Sequence, residues 1–153
     1  MTLQDEAAIV ARHDNVWLAS QPGEADLQAW AEAGARTVIN SRTPEETAGL
    51  PFDLAAAVAT LGMRYVEMPI GGQYGADPAF TLALAGILDD SDGDSDSDGA
   101  VVMHCRSGTR SAHLYAAHLI ATGKAGTDPF DTMGWPGGRD PGMVRALLPP
   151  VGE

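Results

Sequence analysis

The residues best suited to chemistry lie in one stretch, Val101-Val102-Met103-His104-Cys105-Arg106-Ser107-Gly108-Thr109-Arg110-Ser111, where an apolar run ends in the only cysteine of the chain. Ala100 to Met103 is a β-branched run bounded by Gly99 and a polar loop, the pattern of a fully buried strand in a parallel sheet. Beyond the loop the period changes. Ala112, Tyr115, Ala116, Leu119 and Ile120 recur at three and four residues, which predicts a helix from about Thr109 to Thr122, stopped at Gly123. Strand, glycine-containing turn and helix N-terminus direct several free backbone N–H groups at one place, and Cys105 stands there. Such a place binds anions and favours a thiolate. The helix end contributes ~0.3–1 kcal/mol, and the guanidinium groups of Arg106 and Arg110 add to it. A guanidinium also makes paired hydrogen bonds to phosphate, sulfate or thiosulfate, so nucleophile and substrate clamp share one loop. Gly108 lets the backbone curl around an anion, and the Ser111 hydroxyl is placed to donate to the Cys105 sulfur. Arg106, Ser107, Gly108, Thr109, Arg110 and Ser111 are therefore the candidate anion-binding residues and Cys105 the nucleophile. The plainer alternative is a small buried hydrophobe at a strand end, the usual fate of a free cysteine. Two arginines, a glycine and two hydroxyls beside it would be costly decoration for an apolar core.

This loop resembles that of two families. Cysteine-dependent protein phosphatases carry His-Cys and, further on, Arg-Ser or Arg-Thr. His104-Cys105 and Arg110-Ser111 are similar to the two ends of that signature, but the four residues between Cys105 and Arg110 are one fewer than it has. Rhodanese-type sulfurtransferases often read Cys-Arg-Ser-Gly-x-Arg-Ser, which Cys105 to Ser111 resembles throughout. The upstream segments, Val16 to Pro22, Gly34 to Arg42 with Glu45 and Glu46, and Tyr65 to Ile70, resemble the dual-specificity phosphatase scaffold. More narrowly, the chain resembles the bacterial β-lactamase-hydrolase-like, phosphatase-like domain family over roughly residues 15 to 123. Members of that family carry Cys-Arg-Ser-Gly-Thr-Arg-Ser and are named variously as phosphatases or sulfurtransferases. The resemblance implies that His104 supports the loop through hydrogen bonds. It also implies that the loop at Gly71 to Asp77 delivers an aspartic general acid, for which Asp77 is the available carboxylate. Asp77-Pro78 is equally a helix N-cap pair, opening a helix that carries Phe80, Leu84, Ile87 and Leu88. A capping carboxylate is held ionised, so one residue serves only one of these roles well.

The positioning elements follow the chain. After a polar lead, Val16 to Ala19 reads as a strand, and a turn at Ser20 to Gly23 leads into a helix with Leu27, Trp30, Ala31 and Ala33, closed by Gly34. Thr37 to Ile39 is the next strand, followed by a polar loop from Asn40 to Leu50, where Arg42 has Glu45 or Glu46 as candidate ion-pair partners or is simply solvated. Pro51 opens a helix with Leu54, Val58 and Leu61 on one face, ended by Gly62. Met63 to Ile70 is a strand that Pro69 marks as ending. Residues 89–99 carry six aspartates. Asp94, Asp96, Asp98 and Gly99 match the opening of a calcium loop, but the closing glutamate position falls on Cys105, so a solvated, flexible acidic connection is expected. Residues 124–153 read as mostly loop, with a short helix from Met143 to Leu148. Phe130 and Trp135 cover the edge of the core or shape the rim of the substrate pocket. His13, His113 and His118 lack the spacing of a metal site, and no metal or cofactor is expected. The expected architecture is one domain, residues 1–153, with a three-layer α/β/α, mainly parallel sheet and the cysteine-dependent, protein tyrosine phosphatase-like fold.

Composition bounds the function. With 9 basic against 21 acidic side chains and a net charge of −12, the chain is expected to avoid nucleic acid and anionic membranes. No apolar run reaches the roughly 18 residues of a membrane span, the N-terminus lacks a basic start, and a lone thiol survives best where it stays reduced, so a cytoplasmic location is expected. Oligomeric state is not encoded in any recognisable pattern. The spacing within the loop favours sulfur transfer: Cys105 takes a sulfane sulfur from thiosulfate or a persulfide and passes it to an external thiol acceptor. The alternative is hydrolysis of a phosphate ester through a Cys105 phosphoenzyme, with Arg110 on the transferring group and Asp77 as acid. A third reading is a non-catalytic anion-binding or redox-sensing module.

Overall fold

The structure is a computed structural model, and it describes residues 9–13, 15–71, 75–93 and 100–148. Its centre is a five-stranded sheet in the order β1-β2-β5-β3-β4, formed by β1 (Ile9–His13), β2 (Val16–Ala19), β3 (Ala35–Asn40), β4 (Arg64–Glu67) and β5 (Ala100–His104). β1 runs antiparallel to β2, and the other pairings are parallel. β5 occupies the middle of the sheet. It is buried along its whole length, as expected of a strand covered on both faces.

Period-two alternation divides the core. Val101 and Met103 of β5, with Leu18 and Ile39, face a large apolar cluster. That cluster is filled by α4 (Pro78–Gly93), α5 (Thr109–Ala121), α6 (Pro129–Met133) and α7 (Pro141–Leu147). Ala100 and Val102, with Val38, face a smaller cluster covered by α1 (Glu24–Glu32) and α3 (Leu54–Thr60) through Leu27, Trp30, Leu54 and Val58. The three-layer α/β/α arrangement expected from the sequence is therefore present.

Four local readings need correction. The lead before Val16 contains β1, whose short alternating segment finds its hydrogen bonds on the free edge of β2. The supposed loop from Asn40 to Leu50 contains α2 (Pro44–Ala48). Thr43 and Glu46 form a reciprocal capping box there, and Pro44 fits the first helical position. The acidic run begins inside a helix, since α4 continues to Gly93; the calcium-loop resemblance at 94–99 lies outside the described residues. The segment after Gly123 is also less loose than its composition suggests. Asp128 and Asp140 cap α6 and α7, each followed by proline. Among the described residues no helix is long and apolar enough to cross a membrane.

Candidate active site

The exits of the parallel strands converge just beyond the sheet. The Ser41 N–H donates to the His104 carbonyl at 2.9 Å, and the Gln21 N–H donates to the Arg106 carbonyl at 3.1 Å. On the outer side, the Met68 N–H reaches the Asn40 carbonyl at 2.9 Å and the Ile70 N–H reaches the Ser41 carbonyl at 3.0 Å. Crevices beyond the carboxyl ends of such strands are where α/β sheets bind ligands. Cys105 sits there, next after the end of β5 and 1% exposed.

From Cys105 the chain turns into α5 through Gly108, whose φ of +94° is a left-handed conformation that glycine adopts without strain. The turn brings the Gly108 N–H to 3.1 Å from the Cys105 sulfur. That backbone donor does what was expected of Ser111. The Ser111 hydroxyl is fully buried as the third residue of α5 and makes no hydrogen bond among the described residues. The Ser107 and Thr109 hydroxyls lie 3.0 Å apart. Arg106 is exposed, and its observed bond within the loop is the one its carbonyl accepts.

Arg110 is fixed by a partner that sequence reasoning assigned elsewhere. Its Nη1 and Nη2 donate to Glu46 Oε1 and Oε2 at 2.8 and 3.1 Å, and Nη1 also donates to the Ile70 carbonyl at 2.9 Å. Hydrogen bonding from Arg110, helped by the Thr43 backbone, holds the Glu46 carboxyl down at about 2, and the same bonds push the guanidinium further up. Arg42, expected either to pair with Glu45 or Glu46 or to be solvated, donates from Nη1 to Gln21 Oε1 at 2.8 Å. The reason is local. Buried Asn40 accepts the Arg42 N–H at 2.9 Å and donates to Thr47 Oγ1 and Tyr65 Oη, so the β3–α2 turn is locked with Glu46 facing Arg110.

His104 is fully buried, and neither ring nitrogen has a hydrogen-bond partner of good geometry among the described residues. Burial pushes it down to about 3, opposed by the nearby Cys105 backbone and reinforced by the Arg42 charge. It is neutral at physiological pH and packs directly behind Cys105. Asp77 is exposed, and its Oδ1 accepts the Ala79 N–H at 2.9 Å, a capping bond at the start of α4. The loop from Gly71 to Gly75 is closed by a 2.8 Å backbone bond, and a Cβ on Gly71 would lie 3.7 Å from Arg110 Nη1. No cluster of three or more His, Cys, Asp or Glu side chains among the described residues is placed to hold a metal ion.

A family model described as beta-lactamase hydrolase-like protein, phosphatase-like domain, matches residues 8–122. The chain belongs to that family. A beta-lactamase hydrolase-like protein of Xylella fastidiosa (strain Temecula1) is 28% identical over 145 residues, 92% of this chain and 31% of the relative. The chain thus spans about a third of the length of the curated relatives it matches. Among solved structures, a DUF442 protein from Shewanella putrefaciens superposes with a TM-score of 0.72 at 20% identity, covering 95% of this chain and 93% of that one. PTPMT1 in complex with PI(5)P superposes with a TM-score of 0.68 at 18% identity, covering 88% of each chain. These likenesses establish the protein tyrosine phosphatase-like fold, and the family is that of a phosphatase-like enzyme domain.

The expectation of sulfur transfer is overturned by this result. It rested on the spacing between Cys105 and Arg110, which a phosphatase-like domain evidently accommodates, and the external thiol acceptor falls with it. What sequence reasoning missed outright is Glu46 as the partner of Arg110; Trp135, read as covering the core edge or shaping the pocket rim, is buried against the Gly108 turn of the loop. The signal for the first was present, since Thr43-Pro44-Glu45-Glu46 is a capping-box pattern that fixes where Glu46 sits.

Proposed function

We propose that this chain, acting as one domain, hydrolyses phosphate esters through a phosphocysteine at Cys105. The observation that carries the reading is the state of Arg110. Glu46 and the Ile70 carbonyl occupy both Nη1 hydrogens and one on Nη2, leaving the Nε and Nη2 edge without a partner among the described residues. That edge is a ready fork for two oxygens of a phosphoryl group. In the first step the Cys105 thiolate attacks phosphorus, the P–S bond forms and the P–O bond to the leaving group breaks. In the second, water attacks phosphorus, the P–S bond breaks, and inorganic phosphate leaves with the thiolate restored. Arg110 and the loop N–H groups stabilise the charge on the non-bridging oxygens in both steps. Arg106, Ser107 and Thr109 complete the anion-binding loop.

Asp77 is spent on capping α4, so the leaving group takes its proton from solvent and esters with acidic leaving groups are the favoured substrates. The net charge of −12 opposes polyanionic partners, which points to small phosphate esters rather than nucleic acid. A reactive thiol with no second cysteine suits the reducing cytoplasm.

The test is phosphate release from an aryl phosphate by the wild type, Cys105→Ser and Arg110→Lys. We expect Cys105→Ser to be inactive and Arg110→Lys to lose roughly 10²–10³-fold, because lysine cannot reproduce the fork. Turnover that survives Cys105→Ser would overturn the assignment.

A further inference from the structure

The matched family region ends at residue 122, yet the segment beyond it reaches back to the nucleophile loop. The Trp135 indole, 3% exposed, lies directly on Gly108: a Cβ at Gly108 would be 3.0 Å from Trp135 Cη2 and 3.2 Å from Cζ3. On its other side the ring is held as closely by Gly137, where a Cβ would be 2.8 Å away, and its Nε1–H donates to the Gly138 carbonyl at 3.1 Å. The Arg139 guanidinium donates to the Trp135 carbonyl and pairs with Asp128 and Asp131, fixing the far end of the turn.

A second contact lands on the very next residue of the loop. His113, buried in α5, accepts the Asp140 N–H on Nε2 at 2.7 Å, which leaves the proton on Nδ1 to donate to the Thr109 carbonyl at 2.7 Å. The turn at 134–140 therefore grips two consecutive residues, Gly108 through the indole and Thr109 through the imidazole. These residues form the junction whose N–H donates to the Cys105 sulfur.

We infer that Trp135 is a positioning residue for catalysis: the 134–140 turn clamps the Gly108–Thr109 junction so that the Gly108 N–H stays aimed at Cys105. This rests on the reading of Cys105 as nucleophile, but the clamp acts on thiol reactivity whatever the substrate. The clamp is separate from the Arg110 anchor, whose partners Glu46 and the Ile70 carbonyl lie outside the 134–140 turn.

The experiment measures the rate of Cys105 alkylation by iodoacetamide against pH, together with kcat and KM on an aryl phosphate. The variants are Trp135→Ala, Trp135→Phe and, as a stability control in the opposite layer, Val58→Ala, all read well below their melting temperatures. With the donor no longer aimed, Trp135→Ala should be alkylated several-fold more slowly than the wild type near neutral pH. Its kcat should fall at least about tenfold with KM little changed, and Trp135→Phe should lie between it and the wild type. A Trp135→Phe profile that superimposes on the wild type, or an equal slowing in Val58→Ala, would overturn the clamp. If alkylation slows while no variant, including the wild type, releases phosphate, the clamp stands and the phosphatase reading fails.

Discussion

The two ends of the Cys105–Ser111 loop are held by different means. At the Cys105 end the work is done by backbone: the Ser41 N–H meets the His104 carbonyl, and the Gln21 N–H meets the Arg106 carbonyl. These bonds extend the sheet register and depend little on side-chain identity. At the Arg110 end the anchors are side chains, Glu46 on α2 and Trp135 from distant segments and His113 one turn further along α5. Strand pairing thus places Cys105, the proposed nucleophile, whereas side-chain contacts orient the groups proposed to stabilise charge around it. The second end is the one that single substitutions should disturb most selectively.

Among substitutions outside Cys105 and Arg110, the largest effect should come from Gly108, where the two ends meet. Alanine there faces a φ of +94° and contacts of 3.0 Å to Trp135 and 3.3 Å to the Ala19 carbonyl. Gly108→Ala should cost about 1–3 kcal/mol in a denaturant melt and lower kcat by roughly 10²-fold. If activity is lost without any loss of stability, the strain at this position is not what matters.

Glu46→Gln tests the side-chain end alone. It should leave the fold intact and reduce kcat by roughly tenfold to a hundredfold, since Arg110 loses its paired acceptor. The same pair carries a pH signature. The folded Glu46 carboxyl sits at about 2 against a reference of 4.5, so its stabilisation is complete above pH 4.5 and is lost as the pH falls from there towards 2. Thermal melts across that window should converge between wild type and Glu46→Gln; parallel curves would mean that the pair contributes nothing.

Asp77→Asn should have the smallest effect. Asparagine is also a good cap, so stability should change by less than about 0.5 kcal/mol and turnover of an aryl phosphate by less than about threefold. A large fall in kcat, confined to substrates with poor leaving groups, would instead make Asp77 the general acid.

The same contrast explains what was legible in the sequence. Strand β5, the loop and α5 could be read directly, because a buried β-branched run, a glycine turn and a 3.6-residue period are local signals. The three-layer fold follows from the repetition of such units. The pairing of Arg110 with Glu46 spans 64 residues and has no local signature beyond the capping box, so only the nearer Arg42 was weighed as a partner, against simple solvation. Trp135 could be read only as one of two alternatives, core edge or pocket rim, for a related reason. Glycines and prolines around it suggested loose chain, whereas Gly137 is there because any side chain would strike the indole. Asp128-Pro129 and Asp140-Pro141 repeat the helix-start pattern recognised at Asp77-Pro78, and reading all of them alike would have found α6 and placed the start of α7. The choice between sulfur and phosphorus chemistry was not written in the spacing between Cys105 and Arg110, because the same ring of N–H donors serves either anion.

The central claim is a covalent phosphoryl intermediate on Cys105. Rapid acid quench of the wild type during turnover of an aryl phosphate, followed by intact mass and peptide mapping, tests it most directly. One phosphoryl adduct is expected on the peptide containing Cys105, abolished in Cys105→Ser and reduced in Glu46→Gln. A sulfur adduct after incubation with thiosulfate, with no phosphoryl adduct under any condition, would contradict it.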